Sequence, residues 1–498
     1  MKDRTKPIAL LINQMSASTI WIVFLGGFLL LCLSSCCIKA SDINGSRGTE
    51  HLFRHSHTIE ISSLLPVDSC KPSSRGNKHG ASASLEVVHR YGPCSKLSSH
   101  KPSHTEMLLQ DQARVDSIQS RVKYESDRDR GPKRAVNLPA KSGSTIGSAS
   151  FIVTVGFGKP IQPQSLIFDT GSDLTWIQCE PCEFCYEQQG PIFDPSKSTS
   201  YSDVACGSEC DELASANGNA PVCRRSATST NNLCYYYILY GDYSYSVGVF
   251  AKDELTLTRR DAVRNFPFGC GVDNEGLFGG SGGLLGLGMG KLSFVSQTAD
   301  RYGKRFSYCL PSNPSSTGYL TFGRDGRTRT PKKYVRLLKN SEDQSFYFVM
   351  IEAIKVGRRR LSISPSVFRE ADTIIDSGTV VTRLPPAAYA ALREAVERYL
   401  SRYPKAAPLS ILDTCFDFNG HKRVKVPKVR LYFLGGAKVT LRFSGTFYVA
   451  NASQVCLAFA GNQMPSDLAI VGSFQQTTFD VSYDVAGRKL GFAAGGCD

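Results

Sequence analysis

The feature that most constrains this chain is a short element written twice. Leu166-Ile167-Phe168-Asp169-Thr170-Gly171-Ser172 and Thr373-Ile374-Ile375-Asp376-Ser377-Gly378-Thr379 share one pattern, an apolar run ending in Asp-Ser/Thr-Gly-Ser/Thr. A carboxylate set against apolar residues is costly unless something pairs with it. A lone Asp-Thr-Gly would read as an ordinary turn. Here the aspartates recur 207 positions apart, and each is followed downstream by an apolar-apolar-Gly element, Leu284-Leu285-Gly286 and then Ile470-Val471-Gly472. Similar elements in the same order indicate two related lobes, each supplying one carboxylate to a shared cleft.

Two carboxylates brought close together cannot easily both ionise, so they share a proton and titrate as a coupled pair. The ionised member takes a proton from a bound water, which attacks a scissile carbonyl. The protonated member hydrogen-bonds the carbonyl oxygen as charge develops. This chemistry calls for no covalent intermediate, no cofactor and no metal. Gly171 and Gly378 let the chain turn tightly beside the acids, where a bulkier residue would obstruct it. A second element, Tyr235-Tyr236-Tyr237-Ile238-Leu239-Tyr240 followed by Gly241-Asp242 and Tyr243–Gly248, reads as a β-hairpin with a polar, aromatic tip. Alone it would be an aromatic hairpin packed on a core. Beside a paired-acid site it reads as a lid that excludes water.

With 498 residues the chain has room for two or three domains with sizeable cores. From Ser150 onward, short β-rich runs (Phe151–Phe157, Cys234–Tyr240, Glu254–Thr258, Phe346–Val356, Lys438–Phe443, Ala469–Gly472) alternate with Gly, Pro, Asn and Asp turns. That spacing predicts an all-β body. Ala387–Leu400, with Pro385-Pro386 at its start, is the clearest helix. The net charge is +14, with basic ends around a slightly acidic middle. Basic runs such as Arg358–Arg360 and His421–Arg430 lack the aromatic or motif context of a nucleic-acid binder, so they read as solvated faces and no nucleic-acid partner is expected.

Of 17 cysteines, five precede residue 100, and the other twelve run from Cys179 to Cys497. That even set suits six disulfides in an oxidising compartment. The group from Cys179 to Cys234 contains no His and does not resolve into ligand pairs, so disulfides are expected rather than zinc. At the N-terminus, Lys2, Arg4 and Lys6 precede the apolar run Ile20–Leu33, and small or polar residues follow to Ala40-Ser41. This is a secretory signal pattern over residues 1–40. The run is short for a membrane span, so no stable membrane association is expected after its removal. The destination reads as extracellular (apoplast) or vacuole, and the long basic leader leaves a plastid route open. Asn44 and Asn451 lie in glycosylation sequons.

Residues 41–140 are rich in Ser, His, Lys and Arg, with one expected helix over Glu106–Val122 and basic sites such as RDRGPKR from Arg128 to Arg134. A basic, removable segment before a Cys-rich body reads as a propeptide, with a disordered tail as the competing reading. The body divides into a first lobe at 141–335 and a second at 336–498. Within the first, the Cys-rich stretch 179–223 is read as a disulfide-stapled loop with an acidic face.

The chain resembles the pepsin-like aspartic proteases, and among them the nepenthesin-like plant enzymes. The resemblance covers about residues 150–498 and extends more weakly through LEVVHRYGPC and DQARVDSIQSR in the prosegment. It rests on both Asp-Ser/Thr-Gly elements, the twelve cysteines, CEPC at 179–182, YGD at 240–242, FGCG at 268–271, GLLGLG at 283–288 and FSYCLP at 306–311. It implies an all-β, bilobal, monomeric acid protease made as a zymogen, with Asp169 and Asp376 as the catalytic pair. Ser172 and Thr379 would orient the outer carboxylate oxygens, and Thr170 and Ser377 would tie the two loops together beneath them. Tyr240, with Gly241 and Asp242, would form the flap, its hydroxyl reaching the indole of Trp176. A bridge between Cys415 and Cys456 is implied within the second lobe.

The implied substrates are proteins or peptides bound extended, with apolar side chains flanking the cleaved bond. The prosegment cations would cover the dyad and the acidic insertion at neutral pH and release them in acid. One departure is YGDYS where the family usually has YGDGS, which bears on substrate preference rather than on fold. Some relatives of this fold are non-catalytic binders, including glycosidase inhibitors, and generally show a degraded dyad. Here both motifs are intact, and that class stands as the alternative.

Overall fold

The computed structural model describes residues 55–64, 69–73, 83–97 and 101–128, then 151–497 apart from 218–220, 226–231, 241–243, 277, 324–330 and 341–344. The signal pattern, Asn44, Gly241, Asp242 and the basic stretch after Arg128 lie outside these residues. The described chain from Ser56 onward forms one compact unit.

Strand β1 (Ser56–Glu60), strand β2 (Ser84–His89) and helix α1 (His104–Arg128) come from the region preceding the body. The first lobe is built on β3 (Phe151–Phe157), β4 (Gln162–Asp169), β5 (Trp176–Gln178), the hairpin of β6 (Asn232–Leu239) and β7 (Tyr245–Thr258), β8 (Asp261–Glu275) and β9 (Gly283–Gly286). Next come β10 (Arg305–Cys309) and β11 (Thr317–Phe322). The second lobe carries β12 (Tyr347–Val349), β13 (Thr373–Ile375), β14 (Thr382–Leu384), α2 (Pro386–Tyr399), β15 (Arg423–Pro427) and β16 (Ala469–Val471).

The repeat seen in the sequence is a repeat in strand pairing. In the first lobe β9 runs parallel to β4, Leu285 opposite Phe168 and Gly286 opposite Asp169, and antiparallel to β5 with Leu284 opposite Trp176. In the second lobe β16 runs parallel to β13, Ile374 opposite Ile470, and antiparallel to β14 with Arg383 opposite Ile470. A strand between two others, covered on both faces, needs an unbroken apolar run rather than alternation. That accounts for Leu166-Ile167-Phe168, Leu284-Leu285, Ile374-Ile375 and Ile470-Val471, all buried.

The region before the body is integrated rather than a loose tail. β2 inserts between β3 and β11 in the largest sheet, Val88 opposite Ile152 and Leu85 opposite Leu320. β1 pairs with β15 along its whole length. α1 starts two residues before and ends six after the expected Glu106–Val122, because Ser103 and Glu106 exchange capping hydrogen bonds at its start. α2 runs Pro386–Tyr399 and buries Ala388, Tyr389, Leu392 and Val396 on one stripe. β7 is longer than the expected Glu254–Thr258. The return arm of the expected hairpin, Tyr243–Gly248, and the expected strand Glu254–Thr258 are one continuous strand, with a near-regular in–out alternation along it.

The twelve body cysteines form six bridges: Cys179–Cys270, Cys182–Cys185, Cys206–Cys223, Cys210–Cys234, Cys309–Cys497 and Cys415–Cys456. A seventh, Cys70–Cys94, lies in the preceding region. The sulfurs of Cys206, Cys210 and Cys223 cluster, but all are committed to disulfides. Among the described residues no helix is long and apolar enough to cross a membrane.

Candidate active site

β4 and β13 end by delivering Asp169 and Asp376 to one place, both essentially inaccessible to solvent. The loops that follow are nearly superimposable in their bonding. Gly171 N–H donates to Asp169 Oδ1 at 3.0 Å, and Gly378 N–H donates to Asp376 Oδ1 at 3.0 Å. Beneath them Ser377 N–H donates to Thr170 Oγ1 at 2.8 Å and Thr170 N–H to Ser377 Oγ at 3.2 Å. Each hydroxyl thus accepts from the backbone of the opposite loop, so the two lobes hold their acids in mutual register.

Gly171 and Gly378 do not sit in left-handed backbone conformations. Their need is for space. A Cβ on Gly171 would lie 2.9 Å from Asp376 Oδ1, and one on Gly378 would lie 2.4 Å from Asp169 Oδ1. Any side chain there would push the carboxylates apart.

The supporting hydroxyls are not symmetric. Thr379 Oγ1 donates to Asp376 Oδ2 at 2.6 Å, with Thr379 N–H adding a bond of 2.9 Å. The Ser172 hydroxyl is near enough to favour the ionised form of Asp169, but it makes no hydrogen bond of ordinary geometry. Ser172 Oγ and Asp169 Oδ2 are both buried without a partner among the described residues.

Between the acids sits a cation that sequence reading did not single out. Arg114, from the middle of α1, places Nη2 2.7 Å from Asp169 Oδ1 and 2.9 Å from Asp376 Oδ2, with Nε 3.2 Å from the latter. Burial opposes ionisation of Asp376, but the Arg114 charge, the Thr379 hydroxyl and the Gly378 amide outweigh it and hold this carboxyl below its usual range. For Asp169 burial prevails: with the neighbouring Asp376 charge it raises the carboxyl above its usual range, against the pull of Arg114. Burial also opposes the Arg114 charge, and the two carboxylates more than restore it. The pair therefore keeps its first negative charge on Asp376.

Around Arg114 the helix packs on the second lobe. Leu108 joins an apolar cluster with Val380, Val381 and Leu412, while Val115 and Ile118 join another with Phe346, Ile374 and Leu468. Gln119 makes a two-way amide contact with Leu468, donating to its carbonyl at 2.8 Å and accepting from its N–H at 2.7 Å. Asp111 accepts from Val380 and Val381 N–H and pairs with Arg383. No part of the sequence marked Asp111, Arg114 or Arg383 individually. What could have pointed to them is the register of α1, on which Leu108, Asp111, Val115 and Ile118 fall at three- and four-residue spacing.

On the first-lobe side, Trp176 is fully buried and its Nε1–H donates to Tyr240 Oη at 2.8 Å. Phe278 packs edge-on against both rings. Tyr240 N–H donates to Ser244 O, closing the hairpin around its tip. Asn451 is exposed at the end of a strand. Two acids of the Cys-rich insertion are paired, Asp194 with Lys197 inside the insertion and Glu209 with Lys252 on β7.

Comparison with known proteins gives the same reading. Two family profiles match, xylanase inhibitor N-terminal over residues 151–324 and xylanase inhibitor C-terminal over residues 346–494. The chain is 50% identical to an aspartyl protease family protein of Arabidopsis thaliana, covering 94% of this chain and 98% of that one. It is 44% identical to aspartyl protease AED1 of the same plant, over 94% and 97% of the two chains. Aspartic proteinase nepenthesin-2 of Nepenthes gracilis is 34% identical over 78% and 90%. Among solved structures, edgp and basic 7S globulin from soybean superimpose with TM-scores of 0.56 at 20% and 19% identity. They cover 71% and 70% of this chain and 93% of each of theirs, which bears on fold alone.

Proposed function

The chain belongs to the plant pepsin-like aspartic proteases, and we propose that it is made as a secreted zymogen that matures into an acid-favouring endopeptidase. As a member of that family it hydrolyses peptide bonds in protein substrates. The observation that carries the zymogen reading is Arg114, bridging both aspartates from a helix that precedes the body. Substrate cannot reach a water between acids that are already occupied by a guanidinium. Removal of residues 41–140 would open the cleft and place a water where Arg114 Nη2 stands.

In the freed site Asp376, held by Thr379 and Gly378, is the carboxylate that accepts a proton from the attacking water. Asp169, which receives no such hydroxyl donor, keeps the shared proton and donates to the carbonyl oxygen. Ser377 and Thr170 keep the two acids in register. Tyr240 closes over the peptide, held by Trp176 on its inner side. The apolar surfaces that Leu108, Val115 and Ile118 cover on the second lobe suit apolar side chains near the cleaved bond. Seven disulfides fit an oxidising route to the apoplast or a vacuole, and the mature enzyme acts as a monomer without membrane attachment.

The test is expression of the full chain, acid treatment, N-terminal sequencing of the product, and peptide cleavage with and without pepstatin. Acid-stage, pepstatin-sensitive cleavage that begins when the prosegment leaves supports the reading. An unprocessed chain, or cleavage indifferent to pepstatin, overturns it. The matching profiles are described as xylanase inhibitors, so a second reading is a glycosidase inhibitor. Inhibition of a xylanase by protein that cleaves no peptide would establish that one instead.

A further inference from the structure

Asp111 sits in a pocket built for a carboxylate. Its Oδ1 accepts from Val380 N–H, and its Oδ2 accepts at 3.0 Å from Val381 N–H and at 3.0 Å from Arg383 Nη2. Asp111 is 0% exposed and Arg383 1% exposed. Arg383 Nη1 donates to Val381 O at 2.8 Å, which fixes the guanidinium beside the two amides, and Nη2 has a long contact to Gln112 Oε1. Arg383 Nε is buried with no partner among the described residues, so the cation has a donor to spare.

The donors and the acceptor have different fates. Val380, Val381 and Arg383 belong to the body, in the segment that leaves Asp376 through Thr379. Asp111 belongs to α1, one turn before Arg114. Resting on the zymogen reading above, removal of the prosegment takes the Asp111 carboxylate away and leaves two amides and a guanidinium facing the cleft. Two amides alone would suit a peptide carbonyl. A buried guanidinium beside them demands an anion, because an uncompensated charge there is costly.

We propose that this pocket in the mature enzyme is a subsite for an acidic side chain of the substrate, with Asp111 as its occupant in the zymogen. Asp111 lies three residues from Arg114, about 4.5 Å along the helix axis at 1.5 Å per residue. An extended peptide advances about 3.3 Å per residue. The acidic side chain is thus read one to two residues from the cleaved bond. A glutamate there receives charge-assisted hydrogen bonds, while a glutamine leaves the cation without its counter-charge.

The experiment uses the full chain, activated by acid, with loss of the prosegment checked by mass and N-terminal sequencing. Peptide pairs carrying Glu or Gln at each position within three residues of the cleaved bond are then compared at pH 5, where a free glutamate of pKa about 4.3 is mostly ionised. The expected result is a Glu:Gln ratio in kcat/KM of about ten or more at one position, the worth of one charge-assisted contact. In Arg383→Met the ratio falls to near one, and in Arg383→Lys it is partly kept. A processed wild-type enzyme with ratios near one at every position overturns the proposal without any variant, as does a ratio unchanged in Arg383→Met. A product still carrying its prosegment overturns the zymogen reading, and this proposal with it.

Discussion

Arg383 stands in the second lobe where Trp176 stands in the first. Each lies seven residues after its aspartate, on a strand antiparallel to the central one, opposite Ile470 and Leu284 respectively. Each reaches across to whatever covers the cleft from its own side. Trp176 Nε1–H donates to Tyr240 on the hairpin of β6 and β7, and Arg383 pairs with Asp111 on α1. One equivalent position therefore holds the hairpin of β6 and β7 in one lobe, the flap of the proposed enzyme, and in the other α1, a removable segment on the zymogen reading.

The Trp176–Tyr240 contact makes a prediction about the lid. Tyr240→Phe keeps the ring against Phe278 but leaves the buried indole N–H unpaired, at a cost of about 1–3 kcal/mol. If the closed lid is needed in the transition state, kcat/KM falls by about tenfold or more. The stability of the body changes less, because the hairpin remains closed by backbone bonds. Steady-state kinetics on one peptide, with a urea melt in parallel, separates the two effects.

A different outcome is expected beneath the acids. Thr170→Ala removes the acceptor for Ser377 N–H and leaves that buried amide unpaired, so unfolding free energy falls by about 1–3 kcal/mol. Thr170→Ser keeps the hydroxyl and recovers most of the loss. Denaturant unfolding of the three proteins measures this directly. Equal stability of Thr170→Ala and the parent would show that the tie between lobes carries no load.

Much of this arrangement was legible in the sequence because it is encoded locally and twice. The apolar runs Leu166–Phe168 and Ile374-Ile375 announce covered central strands. The downstream Leu284–Gly286 and Ile470–Gly472 elements are their parallel partners. The Cys415–Cys456 bridge followed from family resemblance. What could not be read is what depends on distant packing. Within DQARVDSIQSR nothing distinguishes Arg114 from the other basic residues that precede the body until α1 is docked on the second lobe. Arg383 sits between Thr382 and Leu384 in a three-residue strand, where one-dimensional reading sees nothing that marks the cation. The unlike hydrogen bonding of Ser172 and Thr379 belongs to the folded site, and no spacing records it.

Loss of either acid should be decisive for cleavage. Asp169→Asn and Asp376→Asn each leave one titratable group where the chemistry needs a shared proton, so kcat falls by about 10²–10⁴-fold or more. The neutral amide also contributes less to holding Arg114. Both variants should therefore show weaker retention of the prosegment in limited proteolysis, together with the loss of acid-stage activity. Peptide cleavage after processing by an added protease provides the measurement, and near-parental activity in either variant would sink the assignment.

On the zymogen reading, Arg114 sets the pH at which the cleft opens, and the sign follows from Asp376. Its carboxyl is held below the ordinary range mainly by Arg114 once burial is overcome. A depressed carboxylate contributes docking stability that is fully present above the ordinary pKa of about 3.9 and is lost as pH falls through the lower, docked value. Asp169 works the other way. Its raised carboxyl favours the protonated form, so it adds least at neutral pH, where Arg114 must answer for both acids. Arg114→Met keeps the apolar stem and removes the charge, leaving two buried carboxylates under α1. Breaking a buried pair in this way costs about 3–5 kcal/mol. The variant prosegment should then release the cleft at higher pH than the parent. Pepstatin added to the unprocessed proteins and followed by thermal shift reads this out: the variant responds at a higher pH than the parent, which responds only after acidification. A response at the same pH in both would mean that the guanidinium does not hold the cleft shut.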